Sequence, residues 1–275
     1  MNSAPPTDAP PGAAVRAEGF GVRGPRGWAF RDVDVTAAPG ALVAVEGPSG
    51  SGRTCLLLAL TGRMRAGAGR AEVAGLPLSG TGRGAHRGNM AAVRRISALA
   101  HVPGVAELDT SLTVAEHLRE RALLRRRFGG PLRGLLRPRA ERTAEAKARV
   151  EAALAAAGLD PAALPKGDRT AVRDLKRLES LRLSVALALI AGPRLLAVDD
   201  TDLKLSDAER TRAWALLRSV ADAGTTVLAV CGTAPPEATV VVSTARRDAG
   251  TDTGAGADTC EEEDAADALA ETGRA

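Results

Sequence analysis

The chain has 275 residues, 45% hydrophobic and 25% charged, with no tyrosine, three phenylalanines and two tryptophans. That is enough apolar content for one large or two small domains, but the core must pack on Leu, Val and Ala. Three well-separated cysteines (Cys55, Cys231, Cys260) and three scattered histidines exclude a disulfide framework and a zinc site.

In chain order, residues 1–15 are Pro-, Ala- and Gly-rich and expected to be disordered. The opening MNSAPPTDAPPGAA lacks the charged-then-apolar pattern of a secretory signal. No window approaches the roughly 18 apolar residues of a membrane span. The protein is expected in the cytosol, reaching a membrane only through a partner. Five apolar runs of strand length follow: ALVAVEG (41–47), ISALAHV (96–102), RLLAVDD (194–200), TTVLAVC (225–231) and ATVVVST (238–244). Continuous apolar runs suit strands buried on both faces of a parallel sheet. Helical stretches alternate with them. TCLLLALTGRM follows the first run, and SDAERTRAWALLRSVADAG precedes the fourth. In the latter, Ser206 and Glu209 form a capping box, Gly224 ends the helix, and Trp214, Leu217 and Val220 share a core face. The alternation predicts an α/β fold, a mostly parallel sheet flanked by helices.

Residues 105–190 lack strand signals and read as successive helices broken at Gly129-Gly130-Pro131, Gly158 and Pro161, an inserted helical subdomain. Within it, residues 119–149 are strongly basic, while the tail 246–275 is acidic and expected to be disordered. The basic stretch reads as a solvated helical face, or as a contact with nucleic acid or a membrane surface.

GPSGSGRT (47–54) carries the chemistry. A glycine-rich loop between an apolar strand and a helix crowds backbone N–H groups around phosphate oxygens, and the helix points its positive end at the same anion. Without a ligand the same sequence is a tight strand–helix turn. FRDVDVTAAPGALVAVEGPSGSGRTCLLLALTG resembles the opening of the nucleotide-binding domain of ABC transporters, ISALAHVPGVAELDTSLTVAEHL its glutamine-loop segment, and VALALIAGPRLLAVDD the helix and strand leading to its metal-binding aspartate. The resemblance spans most of residues 17–245 and implies a P-loop NTPase of ABC type that binds ATP and Mg2+. Gly47, Pro48, Ser49, Gly50, Ser51, Gly52, Arg53, Thr54, Cys55 and His101 would then line the nucleotide, and Thr54 and Asp199 would hold the metal. Asp200 stands at the catalytic glutamate. The bland alternative for Asp199-Asp200 is a solvated strand end.

The departures from the family fall on residues that do chemistry. Arg53 replaces the loop lysine with a longer, forked cation. Asp200 retracts its carboxylate by about one carbon–carbon bond, a misplacement that can cost about a hundredfold in rate. His101 replaces the glutamine and Gly232 the switch histidine. LKRLE (175–179) replaces the signature glycine loop and reads as plain amphipathic helix. The resemblance implies a transmembrane permease partner contacting roughly residues 101–150, and a homo- or heterodimer of cassettes. Three functions follow: an ATP-binding subunit with weak or absent hydrolysis, an active ATPase completed by a heterodimer partner, or a nucleic-acid-associated cassette. Phe20 and Trp28 are both candidates for stacking on the base.

Overall fold

The computed structural model describes residues 12–25, 27–79, 83–128 and 138–245. Two sheets organise them. The first is parallel and five-stranded, built from β3 (Leu42–Glu46), β6 (Ser97–Leu99), β7 (Leu195–Val198), β8 (Thr226–Cys231) and β9 (Val240–Ser243), in the order β6-β7-β8-β3-β9. The five apolar runs are these strands. Their continuity has a simple cause, because alternate residues face two different cores. Val43, Val45, Leu195, Ala197, Leu228 and Val230 pack into one, whereas Leu42, Ala44, Leu196, Val198, Val227 and Ala229 pack into the other.

The second sheet is antiparallel, in the order β2-β1-β4-β5, from β1 (Val15–Gly24), β2 (Gly27–Ala37), β4 (Ala68–Val73) and β5 (Leu76–Pro77). It covers one side of the parallel sheet together with α1 (Arg53–Leu60), and Val15, Phe20, Val33 and Val73 share a core with Leu56, Leu57 and Leu60. On the other side lie α5 (Arg177–Leu189) and α6 (Asp207–Asp222). In α6, Ser206 and Glu209 make the expected reciprocal cap, at 3.0 Å and 3.3 Å, and Trp214, Leu217 and Val220 are buried. Between β6 and β7 the chain forms α3 (Val114–Phe128), α4 (Arg139–Ala156) and three short 3₁₀ turns before α5. Val114, Leu118, Ala153, Leu164, Val172 and Leu183 close a third core there.

Residues 12–15, placed by composition in the disordered arm, belong to the folded body. Ala13 is fully buried; its N–H donates to the Arg194 carbonyl at 3.1 Å and its carbonyl accepts from the Thr226 hydroxyl at 2.8 Å. The remainder of that arm, residues 1–11, and the tail 246–275 lie outside the described residues. LKRLE also differs in part from its reading as plain amphipathic helix. Leu175 and Lys176 are extended and α5 begins only at Arg177, so the segment is a helix start. The Glu179 carboxylate accepts from the Lys176 N–H at 2.8 Å, which stops the helix from extending backwards.

Candidate functional site

Strands of a parallel sheet point their C-terminal ends one way, and that edge is where α/β folds bind ligands. Here it collects Glu46 from β3, Ala100 and His101 beyond β6, Asp199 and Asp200 beyond β7, and Cys231 and Gly232 at the end of β8. The phosphate loop leaves β3 at this edge. Gly50 and Gly52 are left-handed, at φ 79° and 84°, a conformation glycine adopts without steric cost. At Gly52 there is also no room, since a side chain would begin 2.2 Å from the Ala29 carbonyl oxygen. The loop therefore lies directly on β2. Ser51 braces its middle with a hydroxyl contact to Thr244 at 2.6 Å.

The loop delivers the chain into α1 with no side-chain cap and no acidic residue in the first turn. The first amides of that helix are thus left to an external acceptor, at the positive end of the helix dipole. From the second residue of α1, the Thr54 hydroxyl donates to the Asp199 carboxylate at 2.6 Å. Asp199 is buried, and its other oxygen accepts from the Asp200 N–H at 2.9 Å. The two residues assigned from sequence to one metal ion thus meet across 145 positions. Asp200 has φ 51°, a left-handed backbone that Asp tolerates better than most residues.

Arg53 is turned onto the protein. Its Nη1 donates to the Cys231 carbonyl, at the end of β8. The next residue, Gly232, gives its N–H to the Asp202 carboxylate at 3.0 Å. Asp202 also accepts from the buried Trp214 indole at 3.1 Å and lies 3.9 Å from Arg210, so it ties the turn after β7 to the loop after β8. Burial, with help from Asp202 and Glu46 and against Arg53, pushes the Cys231 thiol up to about 12, so it is inert as a nucleophile. Cys55 is also raised, by burial and then by Asp199.

His101 is half-buried. Its carbonyl accepts from the Asp199 N–H at 2.7 Å, and its Nε2 faces Arg177 Nη2 at 3.2 Å. Burial first, then Arg177, holds the imidazole below its ordinary range, against Asp200, Glu107 and Asp199. Arg177 Nε also reaches the Leu203 carbonyl, at 3.3 Å. The start of α5 is thereby joined to the segment after β6 and the turn after β7. Sequence reasoning singled out neither Asp202 nor this use of Arg177, and no local spacing marks them. Of the two aromatic candidates, Phe20 is fully buried against Phe30, with centroids 5.8 Å apart. Trp28 is 39% exposed, adjoins the Ala29 carbonyl that touches Gly52, and carries the Arg23 guanidinium 5.9 Å from its ring centroid.

A glycine loop running from a central parallel strand into an uncapped helix, with a hydroxyl–carboxylate pair beside it, defines a P-loop NTPase. The profile of the ABC transporter family matches residues 30–202, and the chain belongs to that family as an ATP-binding protein. An ABC transporter ATP-binding protein of Streptomyces coelicolor is 30% identical over 225 residues, covering 79% of this chain and 73% of its own. The Fe(3+) ions import ATP-binding protein FbpC of the same species is 33% identical over 220 residues, covering 80% and 53% respectively. Among solved structures, cbiO1 of Clostridium perfringens, part of the cbiONQ transporter complex, matches with a TM-score of 0.65 and 16% identity, covering 85% of this chain and 86% of its own. At that identity the likeness speaks for the fold.

Proposed function

We propose that this ATP-binding subunit holds ATP with Mg2+ and hydrolyses it weakly or not at all, passing nucleotide occupancy to a transmembrane permease. The observation that carries the proposal is a division within one site: Thr54 stays on Asp199 at 2.6 Å, while Arg53 is spent on the Cys231 carbonyl. The residues present fit the nucleotide. The uncapped N–H groups at the start of α1 are free to donate to phosphate oxygens, and Trp28 offers a partly exposed ring on β2, the strand on which the loop rests. They fit the ion as well. Thr54 and Asp199 would hold it, with phosphate oxygens and water as its remaining ligands. Bound Mg2+ supplies neutralisation of the phosphate charge.

The hydrolytic side is weaker. Gly232 has no side chain to set against the outer phosphate, and its N–H is already committed to Asp202. Asp200 would have to orient water with a carboxylate one carbon short, and Arg53 would have to leave a backbone carbonyl to meet developing charge. His101 meets Arg177 rather than standing free. No helix among the described residues is long and apolar enough to cross a membrane. We place the subunit at the cytoplasmic face, held by its permease and pairing with a second cassette.

Titration with ATP, with and without Mg2+, alongside phosphate release, tests this. The wild type should bind ATP-Mg2+ with turnover near background, and Arg53→Lys with Asp200→Glu should raise turnover at least tenfold. Robust wild-type turnover that vanishes in Asp199→Ala would instead make the chain an active ATPase, and absence of binding would end the proposal.

A further inference from the structure

The peptide unit joining Cys231 to Gly232 is gripped at both ends by charge. Its carbonyl accepts from Arg53 Nη1, and its N–H donates to the Asp202 carboxylate at 3.0 Å. The unit is trans, so its C=O and N–H point in opposite directions. A cation at the oxygen and an anion at the hydrogen favour the same orientation of one dipole, and each bond strengthens the other. The two charges are not themselves an ion pair; Asp202 has Arg210 as its salt-bridge partner, at 3.9 Å. Other arginines rest on carbonyls as helix caps. Arg94, in the last turn of α2 (Arg83–Ile96), donates to the Gly62 carbonyl at 2.7 Å, and Arg121 donates to the Leu187 carbonyl, near the end of α5, at 3.1 Å. Cys231 ends a strand, so capping does not account for Arg53.

The frame around this peptide is fixed. Cys231 closes β8 opposite Glu46 of β3. Thr201, fully buried, donates its N–H at 3.3 Å and its hydroxyl at 2.6 Å to the Val230 carbonyl, which sets the next residue, Asp202, beside the end of the strand. The second Asp202 oxygen is held by the buried Trp214 indole at 3.1 Å. Gly232 is different, because a side chain there would meet nothing within 4 Å. The orientation of the 231–232 peptide is therefore set by its two hydrogen bonds rather than by packing.

We propose that Asp202 is a positioning residue for the nucleotide site: by fixing the Cys231–Gly232 peptide it holds Arg53 on a backbone carbonyl and away from the phosphates. This rests on the cassette reading above and names the residue that controls its withheld cation. ATP affinity is then set by a competition. Phosphate oxygens must draw Arg53 off a carbonyl that the Asp202 charge makes a better acceptor. Without that carboxylate the peptide is free to turn, and Arg53 brings its five donors to the triphosphate. A purely structural role has the opposite sign. If Asp202 only ties two loops together, losing it loosens the site and weakens ATP binding, whatever stands at position 53.

The test titrates full-length protein with ATP-Mg2+ by isothermal calorimetry, with urea unfolding of each variant to verify folding. Asp202→Ala should bind about tenfold more tightly than the wild type, the scale of one charge-assisted hydrogen bond. The double variant Arg53→Met with Asp202→Ala should lose that gain, so Arg53→Met costs about ten times more affinity in the Asp202→Ala background than alone. Asp202→Asn keeps an acceptor for the indole but sets an NH2 group against the Gly232 N–H. It should shift affinity the same way with a smaller loss of stability. Trp214→Phe removes the indole bond alone and should bind as the wild type does. Lower or unchanged affinity in folded Asp202→Ala and Asp202→Asn, a gain that persists with methionine at position 53, or an equal gain in Trp214→Phe overturns the proposal. With wild-type binding intact, those results leave the cassette reading standing. If neither the wild type nor Asp202→Ala binds ATP-Mg2+, that reading fails and the proposal falls with it.

Discussion

Replacing Gly52 with alanine would place a methyl group where the fold has no space. The new Cβ would begin 2.2 Å from the Ala29 carbonyl oxygen and 2.7 Å from its carbon, and those are backbone atoms of β2 that cannot rotate aside. The residue is also held at φ 84°. A left-handed backbone costs an L-residue about 1–2 kcal/mol, and overpacking adds about 1–3 kcal/mol. The sum, about 2–5 kcal/mol, is a large share of the roughly 5–15 kcal/mol that holds a typical protein together. At about 2–4 °C per kcal/mol for a domain of this size, the melting temperature should fall by about 4–20 °C. Gly50→Ala is the control. It has a similar φ, 79°, but no atom within 4 Å of the added carbon, so only the backbone cost of about 1–2 kcal/mol applies. Thermal melts followed by circular dichroism compare the two. If Gly52→Ala melts no lower than Gly50→Ala, the loop does not rest on β2, and the placement of its amides is wrong.

Two further outcomes follow from single contacts. Asp202→Ala removes the acceptor of the buried Trp214 indole and of the Gly232 N–H. It should cost about 1–3 kcal/mol in urea unfolding, and an unchanged midpoint would show that Asp202 does not hold the two loops together. His101 resists protonation in the fold because of burial and Arg177, so the unfolded chain takes up that proton first as pH falls below 6.5. Its share of stability is present above that pH and lost as pH falls through the lower folded value. His101→Gln should therefore flatten the decline in urea midpoint between about pH 7.5 and about pH 5.5; an identical slope in the variant refutes the assignment.

The five parallel strands were legible because burial on both faces requires uninterrupted apolar residues, and the phosphate loop because its glycines, strand and helix are contiguous. The antiparallel sheet was not. Register shifts between Ala17 and Phe20 and again towards Arg23 break the alternation that marks a half-exposed strand. LKRLE read as plain amphipathic helix because its composition is helical throughout. The stop comes from the Glu179 carboxylate on the Lys176 N–H, a contact that composition does not reveal. Phe20 and Trp28 were equivalent in sequence, and only packing separates a core ring from an exposed one.

The order of segments by itself determined that a loop of backbone donors would open onto a helix and that an aspartate would end a buried strand. Both are local properties of consecutive residues. Tertiary structure alone decided that Thr54 meets Asp199, that Arg53 turns onto Cys231, and that Arg177 reaches His101. Those pairings depend on which strands the sheet sets side by side and where each helix ends, so no stretch of sequence contains them.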